Sequence, residues 1–377
     1  MGTTCETSCR IRSDTMEFTM KKPPIVQNSE SSLKRSFNLH IALIIVSVGA
    51  ILLKAFTAVP EDATYTALDQ AFKVFLMLAI GVGVSMIIEL FYALSEGSTK
   101  KFESYEGFVD PINSGLLIAL LLPTITPIYV LVLATVVGVY VGKLVFGGYG
   151  YYIFNPALVG VLFANVSFGS RLYVAGTPLE LLKQSMSGST YTFDNVLELF
   201  IGNYEAIAVG STAAILLIFV MIYLMVTKVI DYRTVLAYLL TVGVISFIIG
   251  WVNGFLIDYF IVNMISGFTL FGAAFLVAEP VSSPTSRETK YIYAVVIGVM
   301  MMLVRVLGNE AEGLVFAVLL GNMITPFLNR TVKRSNKKGL IKTISICSVA
   351  VLLMGFVLGF LLQDRLIEAF ASIGGII

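Results

Sequence analysis

The sequence predicts an all-α protein, a polytopic bundle of transmembrane helices, from its charge content, its hydropathy and the length of its apolar runs. Of the 377 residues, 57% are hydrophobic and only 13% are charged, and the mean hydropathy is +0.89. A soluble domain carries about 25% charged residues. A helix needs about 20 apolar residues to cross a bilayer, and runs of that length recur along the chain. These features exclude a water-soluble core of this size.

Charge and cysteine content exclude two further classes of protein. The net charge of +1 provides no basic field for binding nucleic acid. Three cysteines (Cys5, Cys9 and Cys347) and one histidine (His40) are too few for a disulfide framework or a Cys/His metal cluster. The expected start of the chain is Met1, Met16 or Met20, and its first residues show no cleavable signal pattern.

The apolar runs fall into long and short segments. Full-length spans are predicted at Leu39–Val59, Ala71–Ala93, Ile128–Val145, Ala206–Thr227, Val235–Val252, Tyr259–Ala278, Tyr291–Leu307, Gly313–Leu328 and Ile341–Leu362. Two shorter runs, Ser114–Leu122 and Pro156–Phe168, predict re-entrant or broken helices.

A repeat relates the two halves of the chain at a constant offset of 157 residues. Pro123 and Pro127 match Pro280 and Pro284, and further pairs are Gly115 with Gly272 and Asn165 with Asn322. Each repeat contains five segments, an odd number, so the second copy enters the membrane from the opposite side. The sequence therefore predicts two inverted five-segment repeats with half-helices, and an eleventh segment without a counterpart.

The distribution of lysine and arginine predicts the orientation. With the N-terminus in the cytoplasm of a cell membrane, nineteen of the 25 basic residues, Lys143 among them, fall on the cytoplasmic side. The predicted divisions are a cytoplasmic tail (1–37), the first repeat (38–168), an extracytoplasmic loop (169–205), the second repeat (206–329) and a basic loop with an extra helix (330–377).

One motif in the first repeat identifies a family. The run Gly147-Gly-Tyr-Gly-Tyr-Tyr-Ile-Phe-Asn-Pro-Ala157 resembles the Gly-Gly-x-Gly-x-Asn-x-Phe-Asn-Pro-Ala signature of the D subunit of the Rnf electron-transport complex, with Tyr152 at the position where asparagine is usual. The corresponding B subunit of the sodium-translocating NADH:quinone reductase shares this signature. Later blocks, from Leu199 to Asn203, Gly267 to Gly272, Ala278 to Pro284 and Glu312 to Asn322, are similar to family blocks in the same order.

The resemblance implies a flavoprotein subunit that works only within a complex. It implies a redox-driven ion translocase, a ferredoxin:NAD oxidoreductase that moves Na⁺ or H⁺, in which the partners are the A, B, C, E and G subunits of Rnf. In that family a threonine carries FMN through a phosphoester bond made by an extracytoplasmic FMN transferase. The matching residue is Thr190, with Ser187, Gly188 and Ser189 as its motif context. Ser189 replaces the usual alanine, and Gln184 replaces a frequent aspartate.

The same resemblance suggests a cavity or flavin lining inside the membrane. Gly147 and Gly148, followed by the start of a half-helix at Asn155 and Pro156, suit a break between half-helices that faces a protein-lined cavity. The half-helix dipole at Pro156 would attract a flavin oxygen. Glu279 stands where the family block has an aspartate.

Other ionisable residues have a simpler interpretation. Glu89, Lys143 and Arg305, like Glu279, lie near predicted segment ends, where side chains commonly snorkel to the interface. The basic segment Arg330–Lys342 is interpreted as a positive-inside anchor, with membrane lipid headgroups or a partner subunit as its alternative contacts.

Two alternative functions remain open. Inverted five-segment repeats with broken helices also build urea and ammonium channels, although the single histidine argues against the ammonium type. A standalone flavinylated subunit that donates electrons to extracellular acceptors is the second alternative.

Overall fold

The computed structural model describes residues 32–56, 66–97, 105–172, 208–254, 256–265, 268–307, 313–332 and 337–374. Those residues form helices joined by turns, so the predicted all-α class is confirmed. The helices are α1 Ser32–Phe56, α2 Ala67–Ser95, α3 Tyr105–Leu121, α4 Ile128–Val136, α5 Pro156–Leu172, α6 Ala214–Val226, α7 Tyr232–Asn253, α8 Leu256–Ile265, α9 Phe268–Phe271, α10 Arg287–Leu307, α11 Leu314–Thr331 and α12 Lys337–Gly374.

Two of these helices continue as π-helices. Residues Val137–Val141 extend α4, and residues Gly272–Leu276 extend α9. The wider turn is visible in the backbone, where the N–H of Gly142 donates to the carbonyl of Val137 at 3.1 Å. Single π turns inside apolar helices often occur at functional sites, and these two are followed within three residues by the ionisable residues Lys143 and Glu279.

Local sequence explains several helix ends. Thr66 and Asp69 form a capping box at the start of α2. The Asp231 side chain accepts the N–H of Arg233 at the start of α7, and α7 ends at Gly254 with φ +81°.

The membrane-spanning segments differ in length from two of the predictions. In the described residues, seven helices are long and apolar enough to cross a membrane, or eight if the bent pair α8 and α9 is one span. The predicted full-length span Tyr259–Ala278 falls on this pair, which is bent by 48° and so forms either a broken span or a re-entrant loop. The predicted span Ala206–Thr227 is wrong as a full span, because its α-helix covers only Ala214–Val226. The shorter apolar helices are Gly107–Leu121, Pro156–Leu172 and Ala214–Val226.

The helices pack in a pattern that repeats. Helix α2 contacts α3 and α4 in the first half, and α7 contacts α8 and α10 in the second half. Helices α4 and α5 pack together as α10 and α11 do, while α1 meets α6 and α5 meets α11 across the halves. Two copies of one five-helix unit around a two-fold axis would give these contacts. They agree with the predicted repeat, and its inversion across a membrane stays a prediction.

Close backbone packing holds α4 against α5. A Cβ added to Gly160 would lie 2.3 Å from the carbonyl oxygen of Ala134, and one added to Gly138 would lie 2.7 Å from that of Pro156. Small residues let membrane helices approach this closely. The contact fixes the start of α5 beside the end of α4, which positions the residues of the candidate site.

Candidate functional site

The glycine-rich segment forms a tight turn between α4 and α5. Gly147, Gly148 and Gly150 have φ values of +106°, +87° and +90°, a region that favours glycine. The N–H of Gly147 donates to the carbonyl of Leu144 at 2.9 Å, and that of Gly148 donates to the carbonyl of Lys143 at 3.1 Å. The glycines therefore serve the backbone turn, as the structural interpretation of this run predicts.

Asn155 closes this turn and begins α5. Its Oδ1 accepts the backbone N–H groups of Ala157 at 2.9 Å and Leu158 at 3.4 Å. Pro156 occupies the first helical position, where its missing N–H costs nothing. The helix N-terminus is thus capped by the protein's own side chain.

Glu279 is the centre of the site. It lies in the turn between the π-helix that follows α9 and the start of α10, and it is partly buried. Its Oε1 accepts the hydroxyl of Tyr152 at 2.6 Å, and its Oε2 accepts the Nδ2 of Asn155 at 2.7 Å and the hydroxyl of Ser282 at 2.8 Å. The carboxylate thus joins the glycine-rich turn of the first half to the helix break of the second.

The structure brings together only some of the predicted cavity residues. Asn155 and Glu279 are in contact, whereas Gly147 and Gly148 shape the turn and Pro156 begins the helix. The polar atoms of Asn155 are already engaged by α5 and by Glu279, so the described residues form a closed hydrogen-bonded contact at this point. That contact does not supply free donors for a flavin oxygen, and a flavin lining here stays a prediction.

Tyr152 and Ser282 are functional candidates that the sequence reasoning missed. A signal for Tyr152 was present, since Tyr152 and Glu279 both depart from the residues usual in the resembling family. The structure shows that these two departures touch each other, with the phenol donating to the carboxylate. Ser282 lies three residues after Glu279, a spacing that also allows contact within a turn.

A second polar group surrounds Lys143, at the end of the π-helix that follows α4. Its Nζ lies 2.5 Å from Oε1 of Glu89 and 2.7 Å from Oδ2 of Asp110, and it donates to the hydroxyl of Ser114 at 3.1 Å. The side chains of Lys143 and Glu89 are 0% exposed. The prediction that these residues snorkel to the interface is therefore wrong, because each has a partner inside the bundle.

This burial also changes the evidence for orientation. Lys143 is one of the nineteen basic residues assigned to the cytoplasmic side, but its charge is enclosed and paired with Glu89 and Asp110. A buried cation says nothing about which loops face the cytoplasm. The orientation then depends on the other basic residues.

Arg305 is a third buried charge for which the prediction of snorkelling is wrong. It is 1% exposed, and its Nη1 donates to the carbonyl oxygen of Asn263 at 3.3 Å and to the Oδ1 of Asn263 at 3.2 Å. Asn263 lies in the last turn of α8, where the bend toward α9 begins. At this helix end the carbonyl of Asn263 also accepts the hydroxyl of Thr269 at 2.8 Å, so the arginine supplies a second donor to it.

The two polar groups in the bundle differ in the partners of their carboxylates. Glu89 and Asp110 pair with Lys143. Glu279 accepts hydrogen bonds from three neutral donors, Tyr152, Asn155 and Ser282. Charge inside a membrane protein is costly unless it is paired, so Glu279 is the stronger candidate for a carboxylate that binds a proton or cation.

The predicted flavin attachment residues Thr190, Ser187, Gly188 and Ser189 lie outside the described residues, as does Gln184. The described chain resumes at Ala208. The N–H of Val209 donates to the carbonyl of Leu122 at 3.1 Å, so the chain returns from this loop to the C-terminal end of α3.

A comparison with protein families matches most of the chain. The family described as NQR2, RnfD, RnfE matches residues 19–338. This range includes α1 to α11, the glycine-rich turn and Glu279.

Comparison with curated proteins gives relatives of two named kinds. The chain is 31% identical to the D subunit of the Na(+)-translocating ferredoxin:NAD(+) oxidoreductase complex of Acetobacterium woodii, over 59% of this chain and 70% of the relative. It is 26% identical to the D subunit of the proton-translocating ferredoxin:NAD(+) oxidoreductase complex of Clostridium ljungdahlii, over 75% of this chain and 90% of the relative. It is 28% identical to the B subunit of the Na(+)-translocating NADH-quinone reductase of Azotobacter vinelandii, over 68% of this chain and 66% of the relative.

Proposed function

This chain belongs to the NQR2, RnfD, RnfE family, and on that premise we propose that it is the D-type membrane subunit of an Rnf-type ion-translocating oxidoreductase complex. The complex couples electron transfer between ferredoxin and NAD to the movement of Na⁺ or H⁺. Relatives named as D subunits of ferredoxin:NAD(+) oxidoreductase complexes support the assignment. The other subunits of the complex are its partners, and the chain is not active alone.

The observation that carries the ion-coupling role is the position of Glu279 and the neutral donors around its carboxylate. Glu279 accepts three hydrogen bonds at a helix break, and in the described residues it has no ion pair with a lysine or arginine. Broken helices in transporters place carboxylates and freed carbonyls where a cation or proton can bind near the middle of the membrane. Glu279 is therefore the ion-binding group of the proposal, and Tyr152 and Asn155 fix the direction of its oxygens.

Transport measured separately from electron transfer tests this role. In proteoliposomes that contain the whole complex, Glu279→Gln should abolish Na⁺ or H⁺ movement driven by reduced ferredoxin, and Glu279→Asp should retain part of it. The control is Glu96→Gln, which removes an exposed carboxylate at the end of α2. Radioactive Na⁺ uptake and an internal pH dye distinguish the two ions. Full transport in Glu279→Gln would refute the assignment.

Thr190 carries FMN through a phosphoester bond in this proposal. The support is the sequence resemblance and the composition of this segment, in which serine and threonine, the residue types that provide nucleophilic hydroxyls, flank Gly188. The bound flavin would supply the redox chemistry, and the protein would hold it at one place relative to its partners.

Flavin attachment can be tested without the rest of the complex. The chain co-expressed with an FMN transferase should give a fluorescent band in a denaturing gel, and Thr190→Ala should abolish it. Thr192→Ala, which removes a hydroxyl two residues away, should leave the band unchanged. A dark wild-type band, or a bright band in Thr190→Ala, would contradict attachment at this residue.

The proposal places the Thr190 loop outside the cytoplasm, because the FMN transferase of the resembling family acts there. The support is the bias of basic residues toward the opposite loops. Ser185→Cys in intact cells should react with a membrane-impermeant maleimide. Reaction only after the cells are opened would place the loop in the cytoplasm and exclude this route.

A further inference from the structure

Two cavities meet at the start of α7, and together they have the shape and chemistry of an amphiphile site. The first, of about 410 Å³, is lined by four cations and one carboxylate: Arg35, Lys228, Arg233, Lys290 and Asp231. Lys290 and Asp231 pair with each other at 2.7 Å. With four basic side chains and one acidic side chain, the lining of this cavity is basic.

Lys228, one of the residues that line this cavity, has an unusual backbone conformation. Lys228 has φ +55°, the only positive φ of a non-glycine residue in the described chain. It follows the end of α6, where the N–H of Val229 donates to the carbonyl of Leu224 at 3.0 Å and that of Lys228 to Met225 at 3.1 Å. This is the helix-ending arrangement in which glycine is preferred at the Lys228 position. A lysine there keeps an unfavourable backbone conformation, and it is one of the residues that line the cavity.

The second cavity, of about 480 Å³, is an apolar groove between α7, α10 and α12. Its walls include Leu236, Val295 and Val351. Tyr232 and Arg233 line both cavities, and the Arg233 guanidinium lies 5.3 Å from the centre of the Tyr232 ring. A basic cavity and an apolar groove therefore share one wall.

We propose that this joined site binds an anionic phospholipid, with the phosphate in the basic cavity and an acyl chain in the groove. Basic pockets between transmembrane helices bind anionic headgroups on the cytoplasmic side, and the lysine and arginine distribution predicts that side for this end of α7. Charge complementarity selects an anionic lipid over a zwitterionic one. Helix α12, which has no counterpart in the first half, forms one wall, so the groove occurs in one half only. The proposal does not depend on the redox function.

Native mass spectrometry of the full chain, purified in detergent and stripped of lipid, tests the site. Phosphatidylglycerol should bind more tightly than phosphatidylcholine with the same acyl chains. Lys228→Gly, which keeps the helix end intact, and Arg233→Gln should each weaken phosphatidylglycerol binding about fivefold. Arg171→Gln is the charge control, because Arg171 is exposed and lies outside both cavities.

A second pair of variants tests the acyl chain. Ser348→Phe fills the groove from the exposed face of α12 and should also weaken binding, whereas Val349→Phe, at an exposed neighbour outside the groove, should not. Equal affinity for the two lipids would overturn the proposal. So would a loss confined to the charge variants, because an acidic segment of a partner protein would then explain the site without an acyl chain.

Discussion

The two halves of the molecule contain equivalent helix breaks, and only one of them carries charge. In the first half the break after α3 has Leu122, which is 0% exposed, before Pro123. In the second half the matching position is Glu279, before Pro280. Both breaks are closed by hydrogen bonds within the turn, from Thr126 to the carbonyl of Pro123 in one and from Ser283 to that of Glu279 in the other.

This comparison separates what the fold needs from what the function adds. A leucine suffices to build the first break, so a carboxylate is not required for the turn itself. At the second break Tyr152, Asn155 and Ser282 all donate to the carboxylate. The backbone of the break is common to both halves, and the Glu279 carboxylate with its three donors is therefore not needed to form it.

The largest effect is expected when the first break is given a charge. Leu122→Glu buries a carboxylate without the donors that serve Glu279, and a buried unpaired charge costs about 3–5 kcal/mol or more. We expect little folded protein, measured by fluorescence-detected size-exclusion chromatography. Leu122→Met is the volume control and should fold. Normal yield and melting temperature in Leu122→Glu would break the comparison, since the two positions would then tolerate charge equally.

The second-largest effect on stability is expected when the buried ion pairs of Lys143 are removed. Lys143→Met leaves Glu89 and Asp110 without their shared cation, so we expect a loss of about 3–5 kcal/mol and a clearly lower melting temperature in detergent. The exposed Lys73→Met should change stability by less than about 0.5 kcal/mol. Adding Glu89→Gln and Asp110→Asn to Lys143→Met should restore part of the loss. If it does not, the lysine is held by something other than these carboxylates.

A smaller effect is expected when one of the three donors to Glu279 is removed. Tyr152→Phe removes one donor and keeps the ring, and a hydrogen bond to a charged group contributes about 1.5–3 kcal/mol. We expect a weaker apparent affinity of transport for its ion, together with a modest loss of stability. Tyr151→Phe changes an exposed neighbour and should have neither effect. An unchanged ion affinity in Tyr152→Phe would remove the tyrosine from the site.

The smallest effect on stability is expected for the ion pair between Asp231 and Lys290. Partial burial raises the pKa of Asp231, but hydrogen bonds from Lys290 and from the Arg233 backbone outweigh this, so its pKa lies below the ordinary value. A carboxyl with a lowered pKa stabilises the fold above its unfolded pKa and loses that contribution as pH falls through the folded value.

Asp231→Asn should keep the helix cap and lose only the ion pair with Lys290. The wild type should therefore be more stable than the variant by up to about 1 kcal/mol at neutral pH. Melting curves should converge as the pH falls below about 4. A difference that stays constant with pH would show that the ion pair does not contribute.

Sequence alone predicts the fold class and the repeat, but not every span. Hydropathy and length identify helices because each must bury its backbone in lipid. The bend between α8 and α9 cannot be predicted in this way, because both helices are apolar. The mean hydropathy of such a segment is the same whether the helix is straight or broken. The short length of α6 cannot be predicted from hydropathy for the same reason.

The site is only partly predictable, because its contacts join distant parts of the chain. Asn155 and Glu279 both stand out in motif blocks, yet nothing in the sequence indicates that they touch across 124 residues. The sequence predicts that Lys143 and Glu89 lie at the membrane interface, because each is near the end of a predicted segment. Their pairing across 54 residues is a property of packing, which reverses that interpretation.

Carbodiimide labelling with peptide mapping tests the claim that Glu279 is the ion-binding group most directly. A hydrophobic carbodiimide reacts with protonated carboxyls inside a membrane, and a bound cation protects them. In the purified complex we predict an adduct on Glu279 that decreases as pH rises, and also as Na⁺ is added if Na⁺ is the ion. No adduct on Glu279, or an adduct that neither pH nor Na⁺ alters, would contradict the account.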